Sequence, residues 1–275
     1  MLIRTTQMRR EWHEKRGQTG QGPHARRARG TDDSKGHQET ARHISCFAIG
    51  CKAMNILAPL PARLVIEIVF DFVCPWCYLG VKRLSFLLSR RQELDVALRW
   101  RPFLLNPDMP RGGMSRADYM IRKFGAEDRA RRLYASIAEL GAAEGIEFDF
   151  GAIRRTPNSV DAHRLVREAS KHGVADRLVQ RLFSAHFVEG LDIGSYDVLA
   201  MLAAQHGMNG TATLEFLASG DGTEVIHAEN LHAHRLGING VPCFLIDGEH
   251  AIAGAQETEV LERLIDLAIC TGKDR

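Results

Sequence analysis

From Leu64 to Val73 the chain runs Leu-Val-Ile-Glu-Ile-Val-Phe-Asp-Phe-Val, too apolar and β-branched for a loop, which predicts a buried strand. The period then changes. Cys77, Val81, Leu84, Leu87 and Leu88 recur at helical spacing, so a helix runs on to about Arg91. Leu94-Asp95-Val96-Ala97-Leu98-Arg99-Trp100 alternates as a second strand. Strand, helix and strand make a βαβ unit, whose crossover is right-handed and whose strands are parallel.

From Ser115 to about Ser219 the pattern is helical. Ser115 with Asp118 resembles an N-terminal cap, and amphipathic stretches follow at Ala117–Phe124, Asp128–Gly145, Ser159–His172, Ala175–Phe187 and Tyr196–His206. Because αβ patterns flank it, this block reads as an insertion into one αβ domain. The αβ pattern resumes with a helix over Glu224–Leu236, ended by Gly237, and then Val241-Pro242-Cys243-Phe244-Leu245-Ile246. Asp247-Gly248 signals a hairpin returning through Ala251-Ile252-Ala253, and Thr258–Ile269 forms the last helix.

Hydrophobic content of 45% and charged content of 25% belong to an ordinary globular protein, but the net charge of +2 is unevenly spread. Residues 1–53 hold 11 Lys and Arg against 5 Asp and Glu, leaving the remainder mildly acidic. That arm lacks apolar periodicity and reads as a disordered, solvated tail over residues 1–60. Its interrupting acids, Glu11, Glu14, Asp32, Asp33 and Glu39, argue against a nucleic-acid or transit role, and Met54 is a second candidate start. No secretory signal and no stretch near the ~20 apolar residues of a membrane span is visible, so the expectation is a cytoplasmic protein without nucleic-acid or membrane partners.

Candidate chemistry sits directly after the first strand, at Cys74-Pro75-Trp76-Cys77. Pro75 suits the first helical position, where its missing N–H costs nothing, which puts Cys74 at a helix N-terminus. Free backbone N–H groups and the helix dipole there favour a thiolate; C-x-x-C thiols in this setting fall from about 8.5 to roughly 3.5–7.5. Cys74 is then the nucleophile and Cys77, one turn on and less exposed, the resolving thiol. The competing readings are half a zinc site and a pair of inert buried cysteines. A tetrahedral site needs two more ligands, and no second C-x-x-C or H-x-x-x-H supplies them, so no metal is expected. His227, His232 and His234 share a helix but not a one-turn spacing. The scattered Cys46, Cys51 and Cys270 make no disulfide framework.

The redox turn does not stand alone. Asp71-Phe72-Val73-Cys74-Pro75-Trp76-Cys77-Tyr78-Leu79-Gly80, Trp100 to Pro110, Pro157-Asn158-Ser159, Ala162-His163-Arg164, Gly237 to Pro242 and Gly254-Ala255-Gln256 occur in this order. Together they resemble the DsbA-like branch of the thioredoxin superfamily, and more closely the FrnE-type proteins, kin to 2-hydroxychromene-2-carboxylate isomerases and kappa-class glutathione transferases. The resemblance implies an α/β, thioredoxin-like fold (βαβ…αββα) over residues 61–275 with a large all-helical insertion at about 115–219. It also implies a cis Val241–Pro242 bond beside the nucleophile, where an extended peptide or glutathione could pair with the Val241 backbone. On residues alone, Pro242 could equally start an edge strand.

The function implied is thiol–disulfide oxidoreduction, Cys74 attacking and Cys77 resolving, with Pro75, Trp76, Val241, Pro242 and Asn158 toward the substrate. Its partner would be a thiol- or disulfide-containing protein or glutathione, the latter as co-substrate, with no bound cofactor. The alternative is a glutathione-dependent isomerase or transferase acting on an aromatic or polyketide-like small molecule. Such relatives typically carry Ser at the position of Cys74, whereas electron exchange needs both thiols. The chain departs from its relatives at Cys243, where an aromatic is common: it is either a third redox thiol or, by strand alternation, a small core residue. His163 and Asn158 each read as a structural or a pocket residue.

Overall fold

In the computed structural model, residues 63–125 and 127–272 are described; the basic arm, Met54, Cys46 and Cys51 lie outside them. Leu64–Phe70 forms β1, Pro75–Arg90 α1 and Val96–Pro102 β2, and β1 and β2 pair in parallel from Leu64↔Val96 to Phe70↔Pro102. Cys243–Ile246 (β5) runs antiparallel to β1, and His250–Ala253 (β6) antiparallel to β5, giving the sheet order β2-β1-β5-β6. β2 is an edge, which is why Pro102 can close it without breaking a ladder.

Side-chain alternation along β1 divides the core. Ile66, Ile68 and Phe70 face α1, with Val81, Leu84 and Leu87, and the last helix α9 (Thr258–Gly272), through Leu261 and Ile265. Val69, beside Cys243 on β5, faces the other way, onto Ala233 of α8 (Thr223–Arg235) and Phe103. The sheet is thus covered on both faces, the thioredoxin-like arrangement expected.

The block between β2 and α8 holds α2 (Arg116–Phe124), α3 (Glu127–Ala143), α4 (Val160–Lys171), α5 (Ala175–Phe187), α6 (Tyr196–Ala204) and α7 (Gly210–Ser219). It is helical as expected, with one addition: Met114–Ser115 (β3) and Arg155–Thr156 (β4) pair as a two-residue antiparallel ribbon. Ser115 caps α2, accepting from the Asp118 amide at 3.1 Å, and Gly125 closes that helix at φ 71°. Arg83, 4% exposed, ties α1 to its surroundings through Glu144 at 2.7 Å, the Ala255 carbonyl at 3.0 Å and Glu257 at 2.8 Å.

One buried imidazole of this block gives the stability a pH dependence. His186 on α5 is 1% exposed and packs edge-on against Phe187 at 4.7 Å. Burial lowers its pKa to about 4. A folded-state value below the unfolded one of about 6.5 means the stabilisation is complete above pH 6.5 and is lost as pH falls toward 4, by about 3 kcal/mol. Urea unfolding of the wild type across that window should show the fall, and His186→Gln should flatten it.

Candidate active site

Cys74 occupies the N-cap of α1 in extended backbone (φ −99°, ψ 110°), with Pro75 as the first helical residue. The Cys77 and Tyr78 amides donate to its carbonyl at 3.0 and 3.4 Å, and its own amide donates to the Asp71 carbonyl at 3.1 Å. The turn is therefore locked by backbone bonds, and the first-turn N–H groups point at the Cys74 end of the helix. Both cysteines are free thiols, Cys74 at 5% exposure and Cys77 at 0%. Burial first, then hydrogen bonding and charge from Cys74, push the Cys77 thiol well above the ordinary range, and the Asp71 carboxylate adds to that; the Asp71 backbone acts the other way.

The Val241–Pro242 bond is cis, and the Cys74 thiol donates to the Val241 carbonyl at 3.6 Å. Pro75, Trp76, Val241 and Pro242 thus converge on the thiol pair, with Trp76 and Val241 only partly buried. Gly80 on α1 permits the convergence: a Cβ there would sit 3.0 Å from Pro242 Cγ and 3.1 Å from Phe244 Cζ. Gly80→Val should therefore cost about 1–3 kcal/mol in urea unfolding through overpacking. It should also slow any reaction at Cys74, because Pro242 is the atom group displaced.

Asn158 is used differently. Its Nδ2 donates to the Met109 carbonyl at 2.7 Å and its Oδ1 accepts from the Val160 amide at 2.9 Å, so both ends of the amide brace the loop before α4. Cys243 is 2% exposed in the cluster on the opposite sheet face from the thiol pair, and burial pushes its pKa up to about 11. Strand alternation on β5 makes it a core residue. Among the described residues no group of three or more His, Cys, Asp or Glu is arranged to hold a metal ion, and no helix is long and apolar enough to cross a membrane.

Asp71 acquires its place in the site only from the fold. Its carboxylate is fully buried at the end of β1, accepting from the Leu105 amide at 2.7 Å and the Val73 amide at 3.4 Å. His163 of α4, 3% exposed, lies with Nε2 3.7 Å from Asp71 Oδ1 and its ring against Phe70 and Phe72, at 4.9 and 5.1 Å between centroids. An acid set in an apolar run was the available signal, since a charge is buried only where something compensates it. A cleft of about 310 Å³ lies alongside, between the Leu105–Met109 loop and Tyr119, Arg122 and Lys123 of α2.

Fold and site define a thioredoxin-fold protein with a paired-thiol turn facing a cis-proline. A sequence profile of the DsbA-like thioredoxin domain matches residues 65–266, and the chain belongs to that family. A Bacillus subtilis protein, YwbO, itself uncharacterised, is 26% identical over 201 residues, covering 73% of this chain and 94% of its own. The structure is similar to that of a probable DsbA oxidoreductase from Streptomyces coelicolor, with a TM-score of 0.68 at 25% identity over 75% of this chain and 90% of that one. It is also similar to a 2-hydroxychromene-2-carboxylate isomerase, with a TM-score of 0.60 at 20% identity over 76% and 98% of the two chains. That second likeness is one of fold. The family and its structural neighbours thus include both oxidoreductases and isomerases.

Proposed function

We propose that this protein is a thiol–disulfide oxidoreductase in which Cys74 attacks and Cys77 resolves. The observation that carries the reading is a pair of adjacent thiols on one helical turn, the outer one, Cys74, reaching the Val241 carbonyl at 3.6 Å. The Cys74 thiolate attacks one sulfur of a disulfide, forming a mixed disulfide and releasing the other sulfur as a thiolate. Cys77 then loses its proton and attacks the Cys74 sulfur, freeing the bound sulfur and leaving a Cys74–Cys77 disulfide. The dithiol is oxidised, the substrate disulfide is reduced, and the reverse sequence donates a disulfide.

The substrate is a disulfide- or thiol-bearing protein segment, or glutathione as co-substrate. An extended main chain paired with the Val241 backbone would bring its sulfur to Cys74, with Trp76 and Pro242 beside it. An isomerase acting through glutathione needs one polar group at position 74 and has no use for the second thiol, so the pair favours redox chemistry.

Insulin reduction in dithiothreitol tests the proposal, read as precipitation of the freed B chain. The wild type should shorten the lag and Cys74→Ser should not; equal lags would overturn it.

A further inference from the structure

Cys74 meets Val241 across 167 residues of sequence, so the width of the substrate groove depends on what fastens the Val241–Pro242 turn to α1. Resting on the redox reading, we infer that Arg83 is the positioning residue for that groove. Its buried guanidinium holds the Gly254–Glu257 segment against α1, and that segment holds the turn where a substrate main chain pairs.

The links can be followed atom by atom. Arg83 lies one turn after Gly80, on the same face of α1. At Gly80 the helix backbone comes up against both Pro242 and Ala255: a Cβ there would lie 3.0 Å from Pro242 Cγ and 3.5 Å from Ala255 Cα. Arg83 fixes this contact, its Nη1 donating to the Ala255 carbonyl at 3.0 Å. One residue earlier, the Gly254 amide donates to the Pro242 carbonyl at 2.7 Å. Gly254 makes that bend at φ 90°, where a side chain would be strained. The run of bonds from the guanidinium therefore ends one peptide away from the Val241 carbonyl that the Cys74 thiol meets at 3.6 Å.

Packing alone would not need a charge here. A guanidinium at 4% exposure is costly to bury unless its donors are answered, and they are: Nε by Glu144 at 2.7 Å and Nη2 by Glu257 at 2.8 Å. Glu144 follows the end of α3 and Glu257 precedes α9, so the helical insertion and the last helix aim the planar fork from two sides. A methionine of similar length would fill the volume and leave the Ala255 carbonyl without this donor. The consequence depends on the substrate. An extended peptide disulfide takes affinity and alignment from the Val241 backbone, whereas a small aromatic disulfide has no main chain to pair and needs only the Cys74 thiolate.

The test gives the reduced protein two disulfides in stopped flow. One is 5,5′-dithiobis(2-nitrobenzoate); the other joins two short extended peptides that carry a fluorophore and a quencher. Arg83→Met should lower the second-order rate constant for the peptide disulfide by about tenfold or more and leave that for the aromatic disulfide within about twofold. By NMR, the Gly254 amide of this variant should exchange with deuterium about tenfold faster relative to the Asp247 amide, which bonds the Val65 carbonyl at 2.9 Å elsewhere in the sheet. A merely structural arginine would lower both rates together or neither. Should Arg83→Met fail to fold, Glu144→Ala with Glu257→Ala serves in its place, since those side chains are 24% and 63% exposed and their loss frees the fork. That double variant should lose about threefold or more on the peptide disulfide alone. An equal fall on both disulfides, or no fall on either, in whichever variant folds would overturn the positioning role. A wild type that reduces neither disulfide would instead overturn the redox reading itself, and the role of Arg83 with it.

Discussion

Cys74→Ser is expected to slow disulfide exchange by roughly 1,000-fold or more, because a serine hydroxyl stays protonated where a thiol can ionise, and the thiolate is the attacking species. Cys77→Ser should behave differently. Cys74 remains the outer thiol, at 5% exposure, beside the Val241 carbonyl at 3.6 Å, so the first attack should persist within a few-fold. The mixed disulfide then has no resolver and should accumulate. Intact-mass spectrometry after mixing with oxidised glutathione should find one glutathione on Cys77→Ser, a Cys74–Cys77 disulfide in the wild type, and neither in Cys74→Ser. The asymmetry has a physical source in burial. Full burial and the neighbouring Cys74 and Asp71 hold the Cys77 thiol protonated at neutral pH, so it cannot compete for substrate and reacts only when a sulfur is already bound at Cys74. Equal behaviour of the two variants would mean the order of attack is wrong.

The second large effect lies in the helical insertion. Arg164 on α4 has a fully buried guanidinium that bonds Asp161 at 2.5 Å, the Asp221 carbonyl at 2.7 Å, the Phe216 carbonyl at 2.8 Å and the Leu217 carbonyl at 3.0 Å. Its plane also lies over the Phe216 ring, 4.9 Å from the centroid. One side chain thereby closes the C-terminal end of α7 and pins it, with the turn into α8, to α4. Arg164→Met leaves the Asp161 carboxylate, with a side chain only 15% exposed, without its partner, and strands the Asp221 and Leu217 carbonyls, the Phe216 carbonyl keeping the Ser219 hydroxyl. Breaking a buried pair this way costs about 3–5 kcal/mol. Urea unfolding should show that loss, a large share of the roughly 5–15 kcal/mol typical of a domain. Arg164→Lys should recover little of it, since an ammonium cannot reproduce the planar fork. A change under about 1 kcal/mol would contradict the role assigned to the guanidinium.

Much of this architecture was written locally. The βαβ unit was legible because β1 is apolar on both faces and α1 carries its apolar stripe at helical spacing; the hairpin was legible from Asp247-Gly248, where Asp247 does adopt a positive φ of 49°. The α7 helix, Gly210–Ser219, was not marked out by its own pattern, since Gly210, Thr211 and Thr213 are weak helix formers and its Asn209 cap, accepting from the Ala212 amide at 3.0 Å, supplies the start. The β3–β4 ribbon is too short to alternate. The thiol pair is readable from its motif, whereas the cis form of the Val241–Pro242 bond follows only from the resemblance, since residues alone favour trans and leave Pro242 as a strand start. The pairing of Asp71 with His163 is not readable: it arises only when α4 packs onto the end of β1, and no periodicity encodes a contact between a strand end and a distant helix. In sequence Asn158 suits a pocket as well as a brace, and only its hydrogen bonds to the Met109 carbonyl and the Val160 amide show the bracing.

Equilibrating the protein with glutathione buffers from reducing to oxidising, trapping free thiols by alkylation and mapping the cysteines by peptide mass spectrometry tests the central claim most directly. The expected result is a Cys74–Cys77 disulfide that forms and disappears reversibly with the buffer ratio, with Cys243 a free thiol throughout. Cys74 and Cys77 both remaining free thiols across the whole range, or Cys74 bridged to Cys243, would contradict the account.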